Sequence, residues 1–188
     1  MESTNFALGI LDRVDAITIF VIGIIATTWL MAIRWLLEKS QVVKYGTGRI
    51  VGSFLIPWDA KNSVFDYGIQ FVIGLSLTTL YGFAYHFLRP QSVWSFVTIG
   101  TGLGLIHGVF ISIFTVALGY SGRGSASGTR PFEFIAFPLN ILSQAIFGTL
   151  VGAAFGYAEL TMLFWPFIEM TLVVEVAFFV VGFVLSRY

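Results

Sequence analysis

The chain is built from long, uninterrupted apolar runs separated by short polar segments that hold nearly every charge. The runs are Ala16 to Leu37, about Asp66 to Leu88, Val93 to Leu118, about Phe134 to Ala158, and a last stretch between Leu160 and Ser186. A helix that crosses the hydrocarbon layer needs about 20 apolar residues, and each run supplies them. The runs are continuous rather than alternating, which argues against barrel strands. The last run is longer than a bilayer requires at about 1.5 Å per residue. Pro166 is therefore expected to end an interfacial turn, with the span proper at 167-186. The pattern predicts an all-α polytopic membrane helical bundle of about five transmembrane helices, spans about 16-37, 66-88, 93-118, 134-158 and 167-186. A single integral membrane domain takes up residues 1-188.

Composition sharpens this reading. Hydrophobic residues make up 57% of the chain and charged residues 11%, against roughly 25% charged in soluble domains. Formal net charge is zero, so nothing electrostatic favours nucleic acid as a partner. With no cysteine, disulfides, thiolate metal sites and a cysteine nucleophile are excluded. Asp12, Arg13 and Asp15 precede the first run and no small-residue cleavage site follows it, unlike a secretory leader.

Lys and Arg set the expected orientation. Arg34 lies at the end of the first span, Lys39, Lys44, Arg49 and Lys61 follow it, Arg123 and Arg130 follow the third, and Arg187 follows the fifth. With five spans these share one side, and only Arg13 and Arg89 fall on the other. Positive residues stay cytoplasmic, so the N-terminus is expected outside and the C-terminus inside a plasma or inner cell membrane. The aromatic belts agree: Trp94 and Trp165 at outer ends, and Trp35, Trp58, Tyr45 and Tyr120 at inner ends.

A shift of 74 residues lays Pro57-Trp58-Asp59 on Pro131-Phe132-Glu133. Gln70 then meets Gln144, Gly74 meets Gly148, and Tyr81-Gly82-Phe83-Ala84 meets Phe155-Gly156-Tyr157-Ala158, without a gap. This predicts a parallel internal repeat of spans two–three and four–five about an axis along the membrane normal. Each Pro-aromatic-acid triplet is expected to start a helix, with Asp59 and Glu133 facing the positive end of the dipole. Gln70 and Gln144 would then hydrogen-bond across the axis.

Gly100, Gly104 and Gly108 recur every four residues on the third span, and Gly148, Gly152 and Gly156 on the fourth. Small residues at this spacing let helices approach closely in lipid, so both faces are expected to pack tightly. His107 lies mid-span on the glycine face, and Glu175 lies at similar depth in the fifth span. Ionisable groups at that depth usually face protein or a water-filled cavity. A His107–Glu175 hydrogen bond would satisfy both, giving a buried polar pair. His86 reads as interfacial, Glu169 as a boundary residue, and Gly119 to Arg130 as a flexible connector.

Catalytic constellations are absent from the sequence, as are metal-ligand clusters. His107 is the one candidate cofactor contact. No cofactor is required, and a bound lipid, quinone or pigment is the class left open.

The segment Gly104-Leu105-Ile106-His107-Gly108, the glycine-rich loop after it and the span Gly148 to Tyr157 resemble small YagU-like polytopic inner-membrane proteins. The likeness covers roughly the second to fourth spans and implies a helical membrane fold; it transfers no site. The leading functional expectation is a non-catalytic integral membrane subunit or scaffold of a larger, for example bioenergetic, membrane complex. Its partners would be membrane lipids and other integral membrane subunits. The alternative is a small solute or ion transporter or channel with a midplane polar site made of His107, Glu175, Gln70 and Gln144.

Overall fold

A computed structural model describes residues 16–39, 63–120, 136–161 and 163–185. These form five α-helices: α1 (Ala16–Lys39), α2 (Ser63–Leu88), α3 (Val93–Tyr120), α4 (Ala136–Leu160) and α5 (Phe164–Leu185). Among the described residues there is no strand. The arrangement is an all-helical bundle, and Ala16–Leu37, Gly68–Leu88, Val93–Phe114 and Phe137–Leu160 are long and apolar enough to cross a membrane. α5, at 22 residues, measures roughly 33 Å at 1.5 Å per residue, close to the thickness of a hydrocarbon core. Glu169 and Glu175 are the only charged residues within it. The triplets Pro57–Asp59 and Pro131–Glu133 and the connector Ser121–Arg130 lie outside the described residues. So do the orienting residues Lys44, Arg49, Lys61, Arg123, Arg130 and Arg187.

The helices are apolar nearly all round, as lipid-embedded helices are. Small residues therefore decide which faces meet. α3 and α4 run antiparallel along one long seam. A Cβ placed on Gly108 would lie 2.8 Å from the Ile141 Cα, and one on Gly148 would lie 3.0 Å from the Gly104 Cα. One on Gly100 would lie 3.1 Å from the Gly152 Cα, and one on Gly156 would lie 3.1 Å from the Val93 Cα. The Thr101 and Thr149 hydroxyls bond across the same seam at 2.7 Å. α1 and α2 form a second antiparallel pair, in which Gly74 abuts Thr27 and Gly23 abuts Leu75 and Thr78. The tight pairs are thus α1–α2 and α3–α4. Contacts of α2 with α3 and of α4 with α5 are much sparser.

α4 is the central helix: 56% of its span is buried, against 39% or less for the other three spans. It touches α1, α2, α3 and α5. The core joins Ile22, Ile25, Ala26 and Leu30 of α1 to Tyr81 and Tyr85 of α2, Phe96 of α3, and Phe147, Val151, Ala154 and Phe155 of α4. Phe164 and Ile168 of α5 close its edge.

α5 begins at Phe164, before Pro166 rather than after it. Pro166 falls in the first turn, where a helix has no intrahelical acceptor for the missing N–H. The Thr161 hydroxyl accepts from the Leu163 N–H at 3.1 Å and helps shape the entry. The α2–α3 link turns at Arg89, whose φ of 47° is left-handed. Ser92 then caps α3, accepting from the Ser95 N–H at 3.1 Å.

Candidate functional site: a buried polar row

Polar side chains are buried at successive depths of the bundle, some within the helix-pair seams and some between the two pairs. At the end where α1 finishes and α4 begins, the Arg34 Nη2 donates to the Asn140 Oδ1 at 3.0 Å. The Asn140 Nδ2 donates to the Ser112 Oγ at 3.0 Å, and the Ser112 hydroxyl points to the Phe137 carbonyl at 3.5 Å. Ser143 donates to the Asn140 carbonyl at 2.9 Å. Three helices are tied here around one amide. Pro138 lies in the first turn of α4, where its missing N–H breaks no intrahelical bond.

One turn deeper, His107 of α3 lies beside Gln144 of α4, within the field of Arg34. Gln144 is 3% exposed, and its Oε1 has no hydrogen-bond partner in the protein; neither has the His107 Nδ1. The close approach of Gly104 and Gly108 to α4 places this pair on the seam. Near mid-bundle the fully buried Thr27 faces Gly74, and its hydroxyl oxygen is also unpartnered. Gln70 of α2 carries a further buried, unpartnered Oε1.

Toward the α2–α3 link stand Tyr81 and Tyr85, four residues apart on α2 and both buried with unpartnered hydroxyls. Tyr85 packs between Phe96 (centroids 5.0 Å) and Phe155 (5.2 Å), and its hydroxyl points at the notch left by Gly100 and Gly152. Tyr81 meets Phe147 edge-on at 6.0 Å.

The expected His107–Glu175 pair does not form. α3 packs along α4, whereas α5 packs on α1 and α4, so the two side chains address different seams. Glu175 is buried instead where α5 packs on the bundle. Gln70 and Gln144 do not bond to each other either; both Oε1 atoms lack partners. His86 sits at the end of α2, edge-on to Phe87 at 5.8 Å, and Glu169 is exposed. Among the described residues no group of three His, Asp or Glu side chains could hold a metal ion.

In the sequence Arg34 serves only as an orienting charge, and Asn140, Ser112, Thr27, Tyr81 and Tyr85 carry no expectation of a site. The available signals were Asn140 and Gln144 four residues apart in an apolar run, and Tyr81 and Tyr85 at the same spacing. Such spacing puts each pair on one helix face.

Long apolar helices, a polar interior and broad apolar flanks such as Leu105, Ile106, Val109, Phe110 and Ile113 of α3 define a multi-pass helical membrane protein in contact with lipid. No protein-family model, curated protein or solved structure matches the chain.

Proposed function

We propose that the protein is a small transporter or channel that passes a small polar solute or ion along the row between the α1–α2 and α3–α4 pairs. The observation that carries this reading is the set of buried polar atoms without a protein partner: Thr27 Oγ1, Gln70 Oε1, Tyr81 OH, Tyr85 OH, His107 Nδ1 and Gln144 Oε1. An unsatisfied buried group costs about 1–3 kcal/mol in a protein, and several in hydrocarbon. Together such costs rival the roughly 5–15 kcal/mol that stabilises a typical domain. A row that accepts water or a polar solute removes the cost, and a scaffold has no need of it. His107 and Gln144, beside each other on the α3–α4 seam, are the central residues of this reading, with the N-terminus outside and the C-terminus cytoplasmic.

The test is flux into proteoliposomes of protons, monovalent ions, water and small neutral solutes. At least one should cross faster than in empty vesicles, and His107→Ala and Gln144→Leu should slow it severalfold. Flux equal to that of empty vesicles for every probe, or unchanged in both variants, would end this reading.

A second reading, an integral subunit of a larger membrane complex, draws on α5. Its outer face exposes Met170, Leu172, Val173, Val174, Val176 and Val180, and it is only lightly held by α1 and α4. Co-purification of a stoichiometric membrane partner in mild detergent, lost on α5 substitutions, would favour it.

A further inference from the structure

Tyr85 carries α2 onto the α3–α4 seam at the end where the α2–α3 link lies. Its ring sits between Phe96 of α3 and Phe155 of α4, and Tyr85 is 4% exposed. The hydroxyl reaches beyond the rings to backbone. A Cβ on Gly100 would lie 2.5 Å from the phenol oxygen, and one on Gly152 would lie 3.1 Å from it. The oxygen therefore fills room that exists only because both residues are glycine.

Nothing bonds to that oxygen. The Gly148 carbonyl crowds the same point beside Gly100, and the Phe96 carbonyl crowds the point beside Gly152. The phenol nevertheless has no hydrogen-bond partner in the protein, and glycine has no side chain to supply one. The two parts of the side chain thus favour different states. The ring gains from burial, whereas the O–H gives up a bond to water and receives nothing in exchange.

α2 is held chiefly by α1 and only sparsely by α3 and α4. It joins α3 through residues 89–92, where the Arg89 N–H donates to the Tyr85 carbonyl at 2.8 Å. At the opposite end, Arg34, Asn140 and Ser112 tie the helices through hydrogen bonds of 3.0 Å. The link end is therefore where the pairs part first, and Tyr85 must leave its notch when they do.

We propose that Tyr85 is a latch at this end of the bundle. Seated in the Gly100–Gly152 notch, its ring shuts the space between the helix pairs, and its unpartnered hydroxyl favours reopening, because water can bond it once it is withdrawn. The latch needs no transported solute, so its test and the flux test fail independently.

The chain has no cysteine, so single thiol reporters can be placed in it without background. Val151 is fully buried and lies between Phe147 and Phe155, the ring partners of Tyr81 and Tyr85. Ser143, 2% exposed, lies about two turns away on the same helix, toward Asn140. Val151→Cys thus reports on the link end and Ser143→Cys on the other. The measurement is the rate at which a water-soluble maleimide labels each reporter in the full chain in lipid vesicles. Tyr85→Phe keeps the ring and removes the orphaned hydroxyl. It should slow labelling of Val151→Cys by about fivefold or more, the lower end of what one unsatisfied buried group is worth. Tyr85→Ala removes the ring and should speed that labelling severalfold. Ser143→Cys should label at its original rate in both. Labelling of Val151→Cys that is no slower with Tyr85→Phe, or no faster with Tyr85→Ala, would overturn the latch. So would Tyr85→Ala speeding both reporters equally, which is general loosening of the bundle. Misfolding cannot imitate the expected result, since Tyr85→Phe must lower access rather than raise it.

Discussion

Gly102 and Gly104 sit two residues apart on α3, and the structure predicts opposite responses to the same added methyl group. A Cβ on Gly104 would lie 2.9 Å from the Ala145 Cα and closer still to the Gln144 carbonyl oxygen. Carbon atoms in contact prefer about 3.5–4.0 Å, so the seam must open by roughly 0.5–1 Å. Both obstructing atoms are backbone, and no rotamer change can absorb the clash. A gap of about 0.5–1 Å forfeits a quarter to a half of each contact's attraction, and the seam runs from Phe96 beside Gly152 to Gly108 beside Ile141. Overpacking of this kind costs about 1–3 kcal/mol, after the roughly 1 kcal/mol that alanine gains over glycine in a helix. On Gly102 a Cβ would meet nothing within 4 Å, leaving only a gain of about 0.4–1 kcal/mol. Gly104→Ala should therefore be less stable than Gly102→Ala by about 1.4–4 kcal/mol, the net overpacking cost plus the gain at Gly102. Reversible unfolding in mixed micelles, by titration with a denaturing detergent and read by circular dichroism, measures the difference. Equal midpoints for the two variants would refute the close seam.

Three further outcomes follow from other contacts. Gly74→Ala drives a Cβ into Thr27, 2.9 Å from its Cβ; it should cost about 1–3 kcal/mol. Adding Thr27→Ala should restore part of that, a coupling of about 0.5–3 kcal/mol in a double-mutant cycle. Asn140→Leu removes both the Arg34 acceptor and the Ser112 donor and should destabilise by about 1.5–3 kcal/mol, seen as a lower unfolding midpoint. Arg89→Gly relieves a left-handed residue at φ 47°. It should raise the midpoint by up to about 1 kcal/mol, since a side chain in that region costs about 1–2 kcal/mol and glycine gives back part of that through the unfolded chain.

The helical membrane class was legible because apolar length alone specifies it. The faces were less so. Helices apolar on every side carry no period that separates lipid from neighbour, and only the glycine stripes of α3 and α4 marked where backbones approach. Glycine spacing could not tell that Gly74, aligned with Gly148, would meet Thr27 rather than another glycine. The pairing of His107 with Glu175 rested on equal depth. Depth is a single coordinate, and the azimuth of Glu175 depends on how α5 docks. That docking is set by Phe164, Ile168 and Thr171, three residues with no distinctive pattern in a run of apolar neighbours. Asn140 escaped notice for a related reason: its role appears only when α1 and α3 bring Arg34 and Ser112 to it.

The two ends of the polar row are held by different chemistry, and that difference bears on how a path could open. Near the α2–α3 link the pairs are joined by rings: Tyr85 lies between Phe96 and Phe155, and a Cβ on Gly82 would lie 3.2 Å from the Phe155 ring. Such ring pairs are worth only about 0.5–1.5 kcal/mol each beyond the area they bury, and parting them leaves no polar group unsatisfied apart from the hydroxyl already unpartnered. At the other end Arg34, Asn140 and Ser112 hold the helices through hydrogen bonds of 3.0 Å, which break unless a polar group replaces each partner. The α3–α4 seam between these ends is backbone against backbone and is the more rigid of the joints. On the transport reading, the mobile element is therefore the α1–α2 pair. It can part from Phe96 and Phe155 without a substrate, but it parts from Asn140 only when water or solute takes over the Arg34 hydrogen bond. One end then opens by thermal motion and the other by ligand exchange, and this asymmetry allows the row to face one side at a time.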